Sequence, residues 1–234
     1  MAEPHRLHCP TSQRSMTITV DAQSQFSDAL TRVFAPALRQ AGFSRKGKTF
    51  YLQEQSNWGL VDFQKSTKST ADQVLFTLNL GVASSRLLRF YAAGQEVGQP
   101  ALDQCHWRQR IGALLPRAED KWWPIGATSD LDSVTHEVGD LLIHSGIPTI
   151  RENIGDDRLR DMWLSGVSPG LTDIQRLMHL TVLLQAIGPA DQLDVILQEL
   201  QRVSAGKPTA PLVKSHIRQL REAGTKATLD GFTP

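Results

Sequence analysis

Arg45, Lys46 and Lys48 cluster around Gly47 in the turn SRKGK, and Gln64, Lys65 and Ser66 follow in VDFQKS. Asn79 in FTLNLGV, Arg108 and Arg110 in WRQRIG, and Trp122 in KWWPI complete a set of side chains with the chemistry of a binding surface. Guanidinium and ammonium donors next to an amide and a hydroxyl suit a phosphate or a carboxylate. An exposed tryptophan beside them can stack on a base or on a partner's side chain. Between Phe43 and Lys68 five basic residues face only Glu54 and Asp62, a local charge of +3 in a chain whose total is +1. The competing reading is that these charges solvate a sheet edge and discourage pairing with a second molecule. Strand alternation puts Gln64 and Ser66 on one face and Lys65 on the other. The set is therefore not one site as it stands, unless a bulge intervenes or the strand ends by Gln64.

Other reactive residue types form no constellation. His136, Asp140 and His144 recur at steps of four, the spacing at which one helix face presents metal ligands. At about 100° per residue they point away from the Leu131, Val138, Leu142 stripe and stand in solvent, and HEVGD lacks the second histidine of a zincin. His5, His8 and Cys9 have no further ligand nearby. Asp62 and Glu54 are isolated, while Asp156, Asp157 and Asp161 read as charges near a helix start beside Arg158 and Arg160. Adjacent residues rarely aim at each other, so Cys105 and His106 do not make a nucleophile and base. His179 and His216 lie on largely apolar helical faces and read as core or boundary histidines. The phosphate-binding patterns GxGxxG and GxxxxGK[ST] are absent. No cofactor, metal site or catalytic residue is expected.

Positioning these residues requires a sheet. Val74, Phe76, Leu78, Leu80 and Val82 alternate with Gln73, Thr77 and Asn79, a period of two that a helix cannot produce. Thr49–Leu52 and Trp58–Gln64 supply two more strands, and short polar connections make an antiparallel meander the economical topology. Lys121–Ile125 adds a fourth, edge strand that ends at its proline, with one of Trp122 and Trp123 in the core and the other a partly exposed platform. Phe26, Leu30, Phe34, Leu38 and Ala41 define a preceding amphipathic helix over 22–41, which Pro36 should kink or split. After Ser129 and Asp130 the pattern turns helical: stripes at 131–142 and 159–163, an apolar central helix at 172–187, and helices begun at Pro189 and near Pro211.

The 234 residues suffice to bury a substantial core. With 25 basic against 24 acidic residues, no global field exists to hold nucleic acid or an anionic membrane, so such binding must be local. Two cysteines, Cys9 and Cys105, make a disulfide framework improbable and suit a reducing cytoplasm. No run of about eighteen apolar residues is present to span a membrane. Met16 opens MTITVDAQ, so 1–17 reads as a disordered leader. An α+β domain over 18–150, a helical extension over 151–224 and a disordered tail over 225–234 follow.

The blocks GFSRKGKTFY, VDFQKS, FTLNLGV, WRQRIG and KWWPI, in that order, resemble the bacterial domain of unknown function family numbered 4304, over roughly Phe26 to Ile143. The resemblance implies an α+β domain and supplies no activity. Families of this kind often sit in mobile or conflict-related gene neighbourhoods, which brings toxin immunity or phage defence into view. The sequence thus leads to an α+β fold: an N-terminal helix on a mainly antiparallel sheet of about four strands, then a helical C-terminal extension. The function expected is that of a non-catalytic cytoplasmic adaptor engaging a protein partner. The alternative is a nucleic-acid or nucleotide-phosphate binder, including an enzyme with single-residue acid–base chemistry, and self-association through the C-terminal helices is a third reading.

Overall fold

The computed structural model describes residues 21–92 and 94–230. The leader, with its His5, His8 and Cys9, lies outside the described residues, as does 231–234. The fold is α+β, with an N-terminal helix, an antiparallel sheet and a C-terminal set of helices.

The amphipathic stretch at 22–40 forms α1 (Ala22–Ala29), a π-helical turn (Leu30–Phe34) and α2 (Ala35–Gln40). Proline thus neither splits this run nor ends it. Inside an α-helix, Pro36 would lack one ladder bond and crowd the preceding turn, and the wider π turn just before it accommodates both. The same device recurs further on, where α4 (Leu131–Leu141) passes through a π turn (Leu142–Gly146) into α5 (Ile147–Asn153) just ahead of Pro148.

Six antiparallel strands form one sheet in the order β1 (Ser44–Lys46), β2 (Thr49–Glu54), β3 (Asn57–Lys65), β4 (Gln73–Ala83). Beyond β4 the edge is shared: β5 (Trp107–Arg110) pairs with its second half and β6 (Trp123–Gly126) with its first. Both run the same way, so they amount to one strand interrupted by residues 111–122, and this strand does not end at its proline: Pro124 lies inside β6, opposite Leu75, at an edge where a missing N–H is tolerated. Gly47, at φ 64°, makes the tight β1–β2 turn. Gln55 and Ser56, at φ 50° and 66°, close the two-residue β2–β3 hairpin in the conformation that matches strand twist. The basic turn SRKGK is therefore half strand, and WRQR is a strand as well; these are the two additions to the four expected.

One sheet face is buried except at its margins, where Arg45 is half-buried and Lys65 exposed. Phe50, Val61, Phe63, the five alternating apolar residues of β4, Trp107, Trp123 and Ile125 meet α1, α2, α4 and α5 in a single core. That core runs on without a break into the C-terminal helices through Leu159, Trp163, Leu180 and Leu220. Those helices are α6 (Asp156–Leu164), α7 (Asp173–Ile187), α8 (Ala190–Ser204) and α9 (Ala210–Asp230). Thr172 caps α7 reciprocally with Gln175, and Asp130 caps α4 through the Ser133 N–H. On the second face, α3 (Ser85–Ala92) and the segment around Cys105 cover Tyr51, Leu60 and Ala83. The rest of that face carries no helix-packed cluster among the described residues. No described helix is long and apolar enough to cross a membrane.

Candidate functional site

Register decides which of the sequence-predicted residues meet. Lys46 pairs with Thr49, Thr49 with Asp62, Asp62 with Asn79, and Asn79 with Arg110. These five side chains form a straight polar row across five strands on the second face, since directly opposed residues share a side; Lys46 is exposed, Thr49, Asp62 and Arg110 are half-buried and Asn79 is buried. The Thr49 hydroxyl donates to Asp62 Oδ1 at 2.7 Å, and Asn79 Nδ2 donates to Gln64 Oε1 at 2.9 Å, which brings Gln64 into the row. At the far end the Arg110 guanidinium lies 5.0 Å over the Trp122 ring and forms an ion pair with Asp120. Hydrogen bonds from Arg110 and Trp122 hold the Asp120 carboxyl below its usual range. Trp123 is in the core and Trp122 is half-buried, forming the platform.

The remaining predicted residues are placed elsewhere. Arg45 stands opposite Phe50, on the helix-covered side, donating to Thr31 Oγ1 at 3.2 Å and to the Gly47 carbonyl at 2.8 Å. Lys65 stands opposite Phe76 on that same side, with Nζ 2.8 Å from Gln23 Oε1. Lys48 is an exposed turn residue whose carbonyl accepts the Phe63 N–H. Ser66 lies past the end of β3; its N–H reaches the Leu75 carbonyl and its hydroxyl accepts the Lys68 N–H. Arg108 is two residues before Arg110 on the same face, but is drawn to the seam with the C-terminal helices: its main-chain N–H donates to the Pro169 carbonyl at 3.2 Å and Nη2 donates to Gly170.

That seam holds titratable groups far apart in sequence. His106 packs edge-to-face on His179, with ring centroids 4.9 Å apart, and His179 Nδ1 is 3.0 Å from the Tyr91 hydroxyl. Tyr91 in turn stacks near His216. The Thr181 hydroxyl donates its proton to the Met178 carbonyl at 2.7 Å, so it accepts from His216 Nε2 at 2.9 Å. Burial lowers His106 and His216 to about 4 and His179 well below the ordinary histidine value, and pushes the Cys105 thiol up to about 12. Cys105 points to the Ala101 carbonyl and His106 to Ser84, so the two adjacent residues aim apart. His136 pairs with Asp140 in solvent, and no group of three metal-ligating side chains is found among the described residues.

The neutral histidines should make the fold sensitive to acid. In the unfolded chain each takes up a proton near pH 6.5, whereas the folded chain resists until about 4 for His106 and His216. Between those values the unfolded state binds more protons, so stability rises with pH and is lost as pH falls. Thermal unfolding from pH 7 down to 4.5 should show this loss, beginning below about 6.5. A flat profile over that window would mean that the rings are solvated.

The family model described as Domain of unknown function (DUF4304) matches residues 34–152, just over half of the chain. The match contains the polar row and Trp122 and ends before His179 and His216. No curated protein and no solved structure matches the chain.

Proposed function

The chain belongs to the DUF4304 family, whose description assigns no activity, and from its site we propose that it is a non-catalytic cytoplasmic bacterial protein that binds a protein partner. The surface proposed is the polar row on the second sheet face, at its more exposed ends around Lys46 and around Arg110 and Trp122. The observation that carries this reading is the row Lys46, Thr49, Asp62, Asn79, Arg110, with Gln64 joined to it and Arg110 already stacked on Trp122 and clasped by Asp120. Arginine and tryptophan are the residue types that most often dominate protein interfaces. Here both are ordered before any partner arrives, which lowers the side-chain entropy lost on binding.

Charge distribution favours a protein over a nucleic acid. Phosphate recognition calls for Arg45, Lys46, Lys65 and Arg110 on one surface, yet Arg45 and Lys65 turn to the other side and take Thr31 and Gln23. The cations that remain alternate with Asp62 and Asp120, a mixed pattern that suits a partner carrying both signs. A thiol held near 12 and an imidazole near 4 are weakly suited to nucleophilic or base chemistry at neutral pH, which agrees with a non-catalytic role.

In the test, the full chain is isolated with its complex from the producing cells and sized by chromatography. Arg110→Glu should dissociate the complex, while Lys65→Ala should leave it intact. A complex indifferent to Arg110→Glu, or a steeply salt-dependent affinity for RNA or DNA, would overturn the reading. A complex that holds only a second copy of this chain, unaffected by Arg110→Glu, would assign self-association through α8 and α9 instead.

A further inference from the structure

The seam between the sheet and the C-terminal helices encloses a cleft of about 550 Å³, bounded by Tyr91, Asp103, His106, Arg108, Gln175 and His179. A volume of this order suits a small molecule. Three observations indicate what kind. Arg108 is half-buried and carries a full positive charge, yet forms no ion pair with any described carboxylate. Its contacts are neutral carbonyls: Nη2 on Gly170 and Nη1 at 3.5 Å from the Asp103 main-chain oxygen, with Nε buried and unpartnered. A guanidinium held by dipoles in partial burial favours an anion, because charge withdrawn from water is costly until it is paired.

The second observation concerns the neighbouring imidazole. The Ser84 N–H donates to His106 Nδ1 at 3.0 Å. A neutral ring that accepts at Nδ1 carries its proton on Nε2. That proton has no hydrogen-bond acceptor among the described residues and belongs to a side chain lining the cleft. The third is that the backbone is shaped to fix the guanidinium. Gly170 adopts φ 79°, and a Cβ there would lie 2.8 Å from Arg108 Cβ and 2.9 Å from its carbonyl oxygen. The loop can press against Arg108 only as glycine, and so Arg108 is held in place before a ligand enters.

We propose that this cleft binds a small organic anion, its carboxylate or phosphate oxygen taken by the Arg108 guanidinium and a second acceptor by His106 Nε2–H. The edge-to-face pair of His106 and His179, with Tyr91, forms an aromatic wall for the ligand's flat or apolar part. Asp103 and Glu96, exposed in the same lining, disfavour polyanions and leave room for an amino group. The site draws Arg108 from the family-matched region and His179 from the helices beyond it.

Calorimetric titration of the full chain with benzoate, glutamate, inorganic phosphate and adenosine monophosphate, against benzamide and benzamidine, tests this. At least one anion should bind saturably, with the carboxylate and phosphate probes distinguishing the two head groups. Arg108→Gln should weaken that binding by about tenfold or more, the usual loss when a charged hydrogen-bond partner is removed. Because Arg108 also anchors a loop, nitrogen-15 spectra of the unmodified protein give a second readout: the His106 Nε2–H resonance should shift on titration and Nδ1 should remain unprotonated. Failure of every anion to bind, equal affinity for benzamide and benzoate, an unchanged affinity in a folded Arg108→Gln, or no shift at His106 would each overturn the proposal.

Discussion

Phe76→Ala is expected to destabilise the fold by roughly 4 kcal/mol, within the usual range for removing a fully buried phenylalanine. Phe76 sits in the first half of β4, and its ring lies 5.3 Å from Phe26 of α1, 6.4 Å from both Phe34 and Phe63, and 6.2 Å from Trp123 of β6. It is fully shielded from solvent. Four separate elements therefore meet on one ring, and close-packed neighbours fixed by different elements relax little into the void. The loss should lower Tm by roughly 10 °C for a chain of this size, read by calorimetry or circular dichroism. A loss below about 1 kcal/mol would mean that the cluster collapses freely and that β4 is not the strand on which the layers are built.

The second large effect is electrostatic and acts at the junction with the C-terminal helices. Asn57 opens β3 and is almost wholly buried. Its Nδ2 donates to the Ile154 carbonyl at 2.7 Å and to Asp156 Oδ1 at 3.0 Å, while its Oδ1 accepts the Ser85 N–H at 2.9 Å. One amide thereby joins the sheet, the start of α3 and the α5–α6 junction, and Arg86 reinforces it through Asp156. Asn57→Ala leaves a buried N–H and a buried carbonyl without partners, each worth about 1–3 kcal/mol, so a loss of roughly 3 kcal/mol is expected. Asn57→Asp should be no milder despite its shape, because its second oxygen would face the Ile154 carbonyl and the Asp156 carboxylate. Hydrogen exchange across 153–164 should accelerate in both variants. Rescue by Asn57→Asp would show that the site tolerates a second acceptor and would contradict the hydrogen-bond assignment.

The parts of the fold that bury a clean stripe were legible in the sequence. β4 alternates because one face is wholly apolar, and α7 is apolar around most of its circumference because it is central. The Trp122 and Trp123 pair divides between platform and core as expected, with Trp123 opening β6 and Trp122 immediately before it. WRQR gives no such signal, since only Trp107 enters the core while its alternates are polar and half-buried, and SRK is masked by turn chemistry. The polar row needed register: alternation separates Lys65 from Gln64, but nothing in the chain says that Asp62 faces Asn79 and Asn79 faces Arg110. The seam was the least legible part. Tyr91 and His179 are far apart in sequence, and only the packing of α3 against α7 makes them neighbours. His106 is adjacent to Cys105, the partner that local sequence suggests, yet it points to Ser84.

The most direct test of the sheet-face interface is a photo-crosslinking amino acid placed at position 122 and, separately, at position 65 of the full chain in the cells that make it. Position 122 should yield one discrete protein adduct that Arg110→Glu abolishes, and position 65, on the helix-covered side, should yield none. An adduct at 65 without one at 122, an adduct at 122 that survives Arg110→Glu, or nucleic acid as the species captured at 122 would contradict it.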